Sequence, residues 1–316
     1  MAATASGETA SAEESDAGGS PSVLGALVAA MRPKQWIKNL VLPLPFLFGG
    51  ALASAAGWIR AAEGFVAFSV IASGIYVLND IMDRKRDRAH PEKRHRPLAS
   101  GRLTVATAAP FAAILVAAGL AAAFLLRREF GVWCAAYAAL MAGYSLTLKR
   151  IPFLEALIVA AGMPLRALAG AALAAVWPSQ FLLLCAYLLA LFLVAGKRQW
   201  EYHHAGEGER SSAEHRPALA AYRAEGLDYL FIVTGLSTAS AYSAWSVFPT
   251  TIAHYGGHSL ALTLPFVVLG LARYVHLVYR RGGGGNPTQA LLVDDPWLLV
   301  VVLGWVITAG WIIYAR

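Results

Sequence analysis

Nine stretches of the sequence, near residues 36–55, 62–79, 104–126, 130–148, 152–176, 180–196, 228–249, 258–279 and 297–315, are apolar and nearly free of charge. Each runs for about 18 to 25 residues, the length an α-helix needs to cross a hydrocarbon core of about 30 Å. The runs are unbroken rather than alternating, and a helix satisfies its own backbone groups in lipid, so strands are not expected. The pattern predicts an all-α, polytopic membrane protein with nine transmembrane helices. Composition agrees: 58% of the 316 residues are hydrophobic and 14% charged, against roughly a quarter charged in a soluble domain.

Residues 1–21 hold almost no large apolar side chains and are expected to form a disordered tail. They also lack the basic start of a signal peptide. Residues 22–32 are expected to form an amphipathic helix on the membrane surface, and 22–316 to make one membrane domain capped by polar loops near 80–103 and 197–227. The net charge of +7 raises nucleic acid as a partner, but the bases sort by membrane side instead. Of the 26 Lys and Arg residues, twenty fall in loops or at the edge of a run on the N-terminal side, four on the other side, and two, Arg166 and Arg273, deep inside apolar runs. By the positive-inside rule the N-terminus and the charged loops lie in the cytoplasm and the C-terminus outside, in the inner membrane of the cell. Membrane lipid, not nucleic acid, is the expected surrounding. Cys134 and Cys185 show no metal-ligand spacing and read as packing residues.

The two long polar loops are where function is expected. The first opens Asn79-Asp80-Ile81-Met82-Asp83-Arg84-Lys85-Arg86-Asp87. If the second helix continues through it, Asp80, Asp83 and Asp87 stand at i, i+3 and i+7 and share one face. Three carboxylates so placed repel one another unless a hard cation joins them. Magnesium suits the group, because it takes few carboxylates and keeps sites for phosphate oxygens; manganese is an alternative. Arg84, Lys85, Arg88, Lys93, Arg94 and Arg96 supply positive charge for a polyphosphate. His90 and His95 have no metal-ligand pairing and read as surface residues. Arg166, inside a run, is costly in lipid and is expected to line a polar site. Gly282 to Gly285 reads as a flexible connection.

The Asn-Asp-x-x-Asp-x-x-x-Asp signature after the second of nine helices, followed by basic residues ending Arg96-Pro97-Leu98, resembles the UbiA superfamily of intramembrane prenyltransferases. Arg32-Pro33-Lys34-Gln35-Trp36-Ile37-Lys38-Asn39 and Tyr144-Ser145-Leu146-Thr147-Leu148-Lys149-Arg150 extend the likeness over nearly the whole chain after residue 30. The resemblance implies a helical bundle around a central cavity open to the membrane, with the first aspartate motif holding magnesium and a diphosphate. It also implies a second acidic motif after the sixth helix, where this chain instead reads Gly196-Lys197-Arg198-Gln199-Trp200-Glu201.

That departure suits a site for two phosphorylated substrates and is similar to the decaprenyl-phosphate phosphoribosyltransferase branch. The implied donor is phosphoribosyl diphosphate and the implied acceptor a polyprenyl phosphate. On this reading Asp80, Asp83 and Asp87 are catalytic and metal-binding. Asn79, Lys34, Lys38, Arg84, Lys93, Arg94, Arg96, Tyr144, Lys149, Arg166, Lys197, Arg198 and Glu201 contact substrate, with the acceptor phosphate held by some of Lys38, Lys149, Arg166, Lys197 and Arg198. Two alternatives stay open: a UbiA-type transferase moving a prenyl group from prenyl diphosphate to an aromatic or other small acceptor, and a membrane transporter or lipid-binding scaffold. The oligomeric state is left open.

Overall fold

A computed structural model of the chain describes residues 22–90, 93–151, 153–177, 179–204, 224–254, 260–280 and 287–314. The expected tail, most of the second polar loop and the Gly282 to Gly285 connection lie outside these residues. Every regular element among the described residues is helical. A first helix α1 (Val23–Met31) leads into a 3-10 stretch (Pro33–Val41) and a short α2 (Leu44–Phe48). The long helices follow: α3 (Ala55–Ala89), α4 (Val105–Leu126), α5 (Arg128–Leu146), α6 (Leu154–Ala174), α7 (Gln180–His204), α8 (Ala224–Ser246), α9 (Leu264–Arg280) and α10 (Pro296–Tyr314).

Six described stretches are long and apolar enough to cross a membrane: Ala55–Ala89, Val105–Leu126, Leu154–Ala174, Gln180–His203, Leu260–Tyr279 and Pro296–Tyr314. Ile114, Leu125, Leu269, Val300 and Ile307 project outward from them, exposed as lipid-facing side chains are. Cys134 and Cys185 are buried and unbridged, as packing residues should be.

The first apolar run departs from expectation. Residues 33–53 form three short helical pieces instead of one continuous helix. Pro43 and Pro45 remove backbone donors and clash with the preceding turn, and Gly50 turns the chain at a φ of 73°. This broken segment is clamped against α6. A Cβ on Gly170 would lie 1.9 Å from the Leu42 carbonyl oxygen, so only glycine permits the approach. Leu42, Phe46, Phe68, Ile71, Phe130 and Leu173 then form a core shared by the broken segment, α3, α5 and α6.

Helix α1 forms over the expected residues and is docked on the bundle. Ala26 and Ala30 pack with Val77 of α3, Leu98, and Ala108 of α4. Leu98 anchors the loop after α3, which returns the basic residues before it to the helix they follow. Helix α3 itself runs unbroken for 35 residues. It carries Asp80, Asp83 and Asp87 out of the apolar region in continuous helical register, as the spacing predicts.

Candidate functional site

A cavity of about 370 Å³ lies where the end of α3 faces α5, α6, α7 and the broken segment. Along α3, Asn79, Asp83 and Asp87 line it, while Asp80 is buried just behind. Each of the three carboxylates is met by a base from elsewhere in the chain. Arg32, at the C-terminal cap of α1, donates to Asp80. Arg96 donates to Asp87 at 2.7 Å and to Asp80 at 3.3 Å, closing the loop onto the helix. Lys149 reaches over from the end of α5 to Asp83 at 2.7 Å and to the Asn79 side-chain oxygen at 3.4 Å.

Arg32 occupies the left-handed region at a φ of 54°, a position at a helix C-terminus that glycine usually fills. Its guanidinium, also stacked at 5.6 Å over Tyr76, ties that turn to α3. The loop is braced further by Arg88, which donates to the Ala99 carbonyl at 3.0 Å.

The end of α7 is built the other way round. Arg198 is buried and donates through two nitrogens to Glu155 of α6, at 2.7 and 2.5 Å, and to Glu201 at 2.7 Å. Lys197 stands 4.0 Å from Glu201. Between the two helix ends sits Lys93. Burial, then the nearby charges of Lys197 and Arg96, lower its pKa from the usual lysine value, with Glu201 and Asp87 acting in the opposite sense.

Deeper in the cavity, Arg166 of α6 is buried, as its place inside an apolar run predicts. It donates to the Asn39 side-chain oxygen at 2.9 Å, the Gly162 carbonyl at 2.6 Å and the Tyr137 hydroxyl at 3.0 Å. Asn39 is fixed in turn by donating to Ser69 Oγ at 2.9 Å. The other intrahelical arginine, Arg273, pairs with Asp295 beside the start of α10, away from the cavity.

Of the residues picked out in the sequence, Lys38, Asn79, Asp83, Asp87, Lys93, Arg96, Tyr144, Arg166, Lys197 and Arg198 line the cavity. Asp80, Lys149 and Glu201 join it through ion pairs. Lys34 and Arg94 are exposed, and Arg84 is half-buried; all three stand off the cavity wall. His90, read as a surface residue, lines the cavity. Arg32, Gln35, Arg86 and Glu155 belong to the site or its supports and were assigned no site role from the sequence. Glu155 left a signal: an acid at the start of an apolar run needs a buried cation as partner.

Among the described residues, no group of three or more His, Cys, Asp or Glu side chains stands close enough to hold a metal by itself. Asp83 and Asp87, one turn apart on the cavity wall, do fit a hard divalent ion of the kind that takes one or two carboxylates and completes its shell with phosphate oxygens and water.

The fold and its apolar exterior define a polytopic, integral membrane protein of UbiA-like architecture. A UbiA homologue from Archaeoglobus fulgidus, bound to GPP and Mg²⁺, superposes with a TM-score of 0.69 at 17% identity, covering 92% of this chain and 100% of that one. A digeranylgeranylglyceryl phosphate synthase matches at a TM-score of 0.62 and 17% identity, over 91% of this chain and 98% of that one. The chain belongs to the UbiA prenyltransferase family, whose profile matches residues 22–292.

Its relatives include proteins named decaprenyl-phosphate phosphoribosyltransferase. That of Corynebacterium glutamicum is 34% identical, over 89% of this chain and 84% of its own length. Those of Mycobacterium tuberculosis and Mycolicibacterium smegmatis are 30% and 32% identical, over 91% and 94% of this chain and 94% and 95% of theirs.

Proposed function

We propose that this protein transfers 5-phosphoribose from phosphoribosyl diphosphate to a polyprenyl phosphate of the decaprenyl type, releasing pyrophosphate. The observation that carries the reading is near full-length similarity, at 30–34% identity, to relatives bearing that activity in their names. The α7 end supports it. Where the family pattern expects a second pair of metal-binding acids, the carboxylates at Arg198 among the described residues are Glu155 and Glu201, both tied to it.

Asp83 and Asp87, with Asp80 behind them, would hold magnesium, or manganese in its place. The ion would supply Lewis-acid charge neutralisation at the departing pyrophosphate. The bases around the acids, Arg96 and Lys149 first, neutralise the negative charge that grows as the C1–O bond to pyrophosphate breaks and the bonding pair leaves with it. An oxygen of the lipid phosphate forms the new bond to C1 from the opposite face. A phosphate monoester is already anionic near neutral pH, so the cavity's bases need only orient it, and no side chain has to remove a proton.

The distribution of bases supports a cytoplasmic N-terminus and cytoplasmic loops in the inner membrane. In this arrangement the broken segment and α3 to α10 make nine crossings around a central cavity. A lateral opening lets the prenyl chain stay in lipid while the water-soluble donor enters from the cytoplasm.

The test is a paired assay on purified protein in detergent with magnesium. One arm offers phosphoribosyl diphosphate with polyprenyl phosphate, the other prenyl diphosphate with 4-hydroxybenzoate. Product is expected in the first arm; product confined to the second would overturn the assignment.

A further inference from the structure

The bases at the cavity divide by whether a carboxylate already engages them. Arg32 and Arg96 are engaged by Asp80, Arg96 also by Asp87, Lys149 and Arg86 by Asp83, and Arg198 by Glu155 and Glu201, with Lys197 at 4.0 Å from Glu201. Lys38 and Arg166 line the same cavity, and among the described residues neither has a carboxylate within ion-pair distance. The charged groups that act on Lys38 are Lys197, Arg166 and Arg32, all of them cations. Among the described residues Arg166 donates to neutral acceptors, Asn39, Gly162 and Tyr137. A charge withdrawn from water without a counter-ion is costly; Arg166 is buried and Lys38 half-buried, and two cations near each other add repulsion. An anion placed between them removes both penalties.

The apolar lining indicates what the anion is attached to. On α6, Val159 and Met163 lie seven and three residues before Arg166, and on α7 Leu193 lies four residues before Lys197; all five line the cavity. These spacings put each apolar residue on the same helix face as its cation. An apolar lane therefore ends at Arg166 and Lys197. The bases at the α3 carboxylates are different, because a metal-diphosphate can take the carboxylates and release the bases to its phosphates.

We infer that Lys38 and Arg166, with Lys197 beside them, form a separate seat for the phosphate monoester of the lipid acceptor, distinct from the donor end at Asp83, Asp87 and Lys149. The assignment of seats to substrates rests on the proposed function. The existence of two anion seats with different preferences does not.

The experiment compares wild type, Lys38→Met and Lys149→Met as full-length protein in detergent, by equilibrium binding of farnesyl phosphate without metal and of pyrophosphate with magnesium. Losing a charged hydrogen bond predicts that Lys38→Met weakens farnesyl phosphate by about tenfold or more and changes magnesium pyrophosphate by less than about twofold. Lys149→Met should do the reverse, and Lys38→Arg, which keeps the charge, should restore most of the farnesyl phosphate affinity. In turnover assays the same split should appear in KM for polyprenyl phosphate against KM for phosphoribosyl diphosphate. Equal weakening of both probes by Lys38→Met, or unchanged farnesyl phosphate binding, would overturn the two-seat assignment. If the binding split holds but wild type makes no product from the proposed substrate pair, the seats stand and the proposed function falls.

Discussion

The ends of α3 and α7 face each other across the cavity and are charged in opposite ways. On α3 the carboxylates are fixed in helical register and their bases arrive from distant parts of the chain, Arg32, Arg96 and Lys149. On α7 the base is fixed, and Glu155 and Glu201 close on it. Asp83 and Asp87 stand on the cavity wall, where a cation can replace their partners. Glu155, 2% exposed and doubly bonded to Arg198, is committed to holding α6 and α7 together. One end is suited to exchange partners with a ligand, the other to keep its shape.

The comparison is broken most severely by changing an exchangeable acid. Asp83→Asn should cut kcat/KM by about a thousandfold, the scale of losing a central electrostatic group, while the protein still elutes as a folded species. Next comes the committed pair. Glu155→Gln leaves a buried arginine with only Glu201, and should lower stability by about 3 kcal/mol, read as thermal unfolding in detergent. The double change Glu155→Leu with Arg198→Met should recover much of that loss, because it removes both buried charges together.

How these two ends read in the sequence differed as much as their structures do. The α3 acids were legible because helical spacing is local: i, i+3 and i+7 in a run that continues a span fix one face without knowledge of the fold. Their partners were not, since Lys149 meets Asp83 only through the packing of α5 on α3, and Arg32 meets Asp80 only because α1 docks there. The α7 end was read as phosphate-binding cations, and burial of Arg198 between two acids became visible only in three dimensions. The breaks in the first apolar run were missed because its residues are apolar on average, although Pro43 and Pro45 were in view. Lys34, Arg84 and Arg94 matched the charge requirement but not the direction, which composition does not encode.

Smaller effects sharpen the contrast. Glu201 lies at the rim of the committed pair, 18% exposed, so Glu201→Gln should cost only about 1 kcal/mol of stability. Removing the carboxylate beside Lys197 should leave the affinity for anionic substrate intact or improve it, as KM measurements would register. Lys93 gives the mildest test. Burial lowers its pKa, so its ammonium loses the proton at a lower pH than a free lysine does. KM for phosphoribosyl diphosphate should therefore rise as pH climbs toward the alkaline range, earlier in wild type than in Lys93→Arg, whose guanidinium stays charged.

The most direct measurement follows two labels in one donor, a carbon label in the ribose and a phosphorus label in the diphosphate, supplied to wild-type protein with polyprenyl phosphate and magnesium. Cleavage at C1 predicts that the carbon label enters the lipid phase while the phosphorus label leaves as pyrophosphate in equal amount, with both changes lost in Asp83→Asn. A carbon label that stays in the aqueous phase, or a phosphorus label that enters the lipid, would contradict the account.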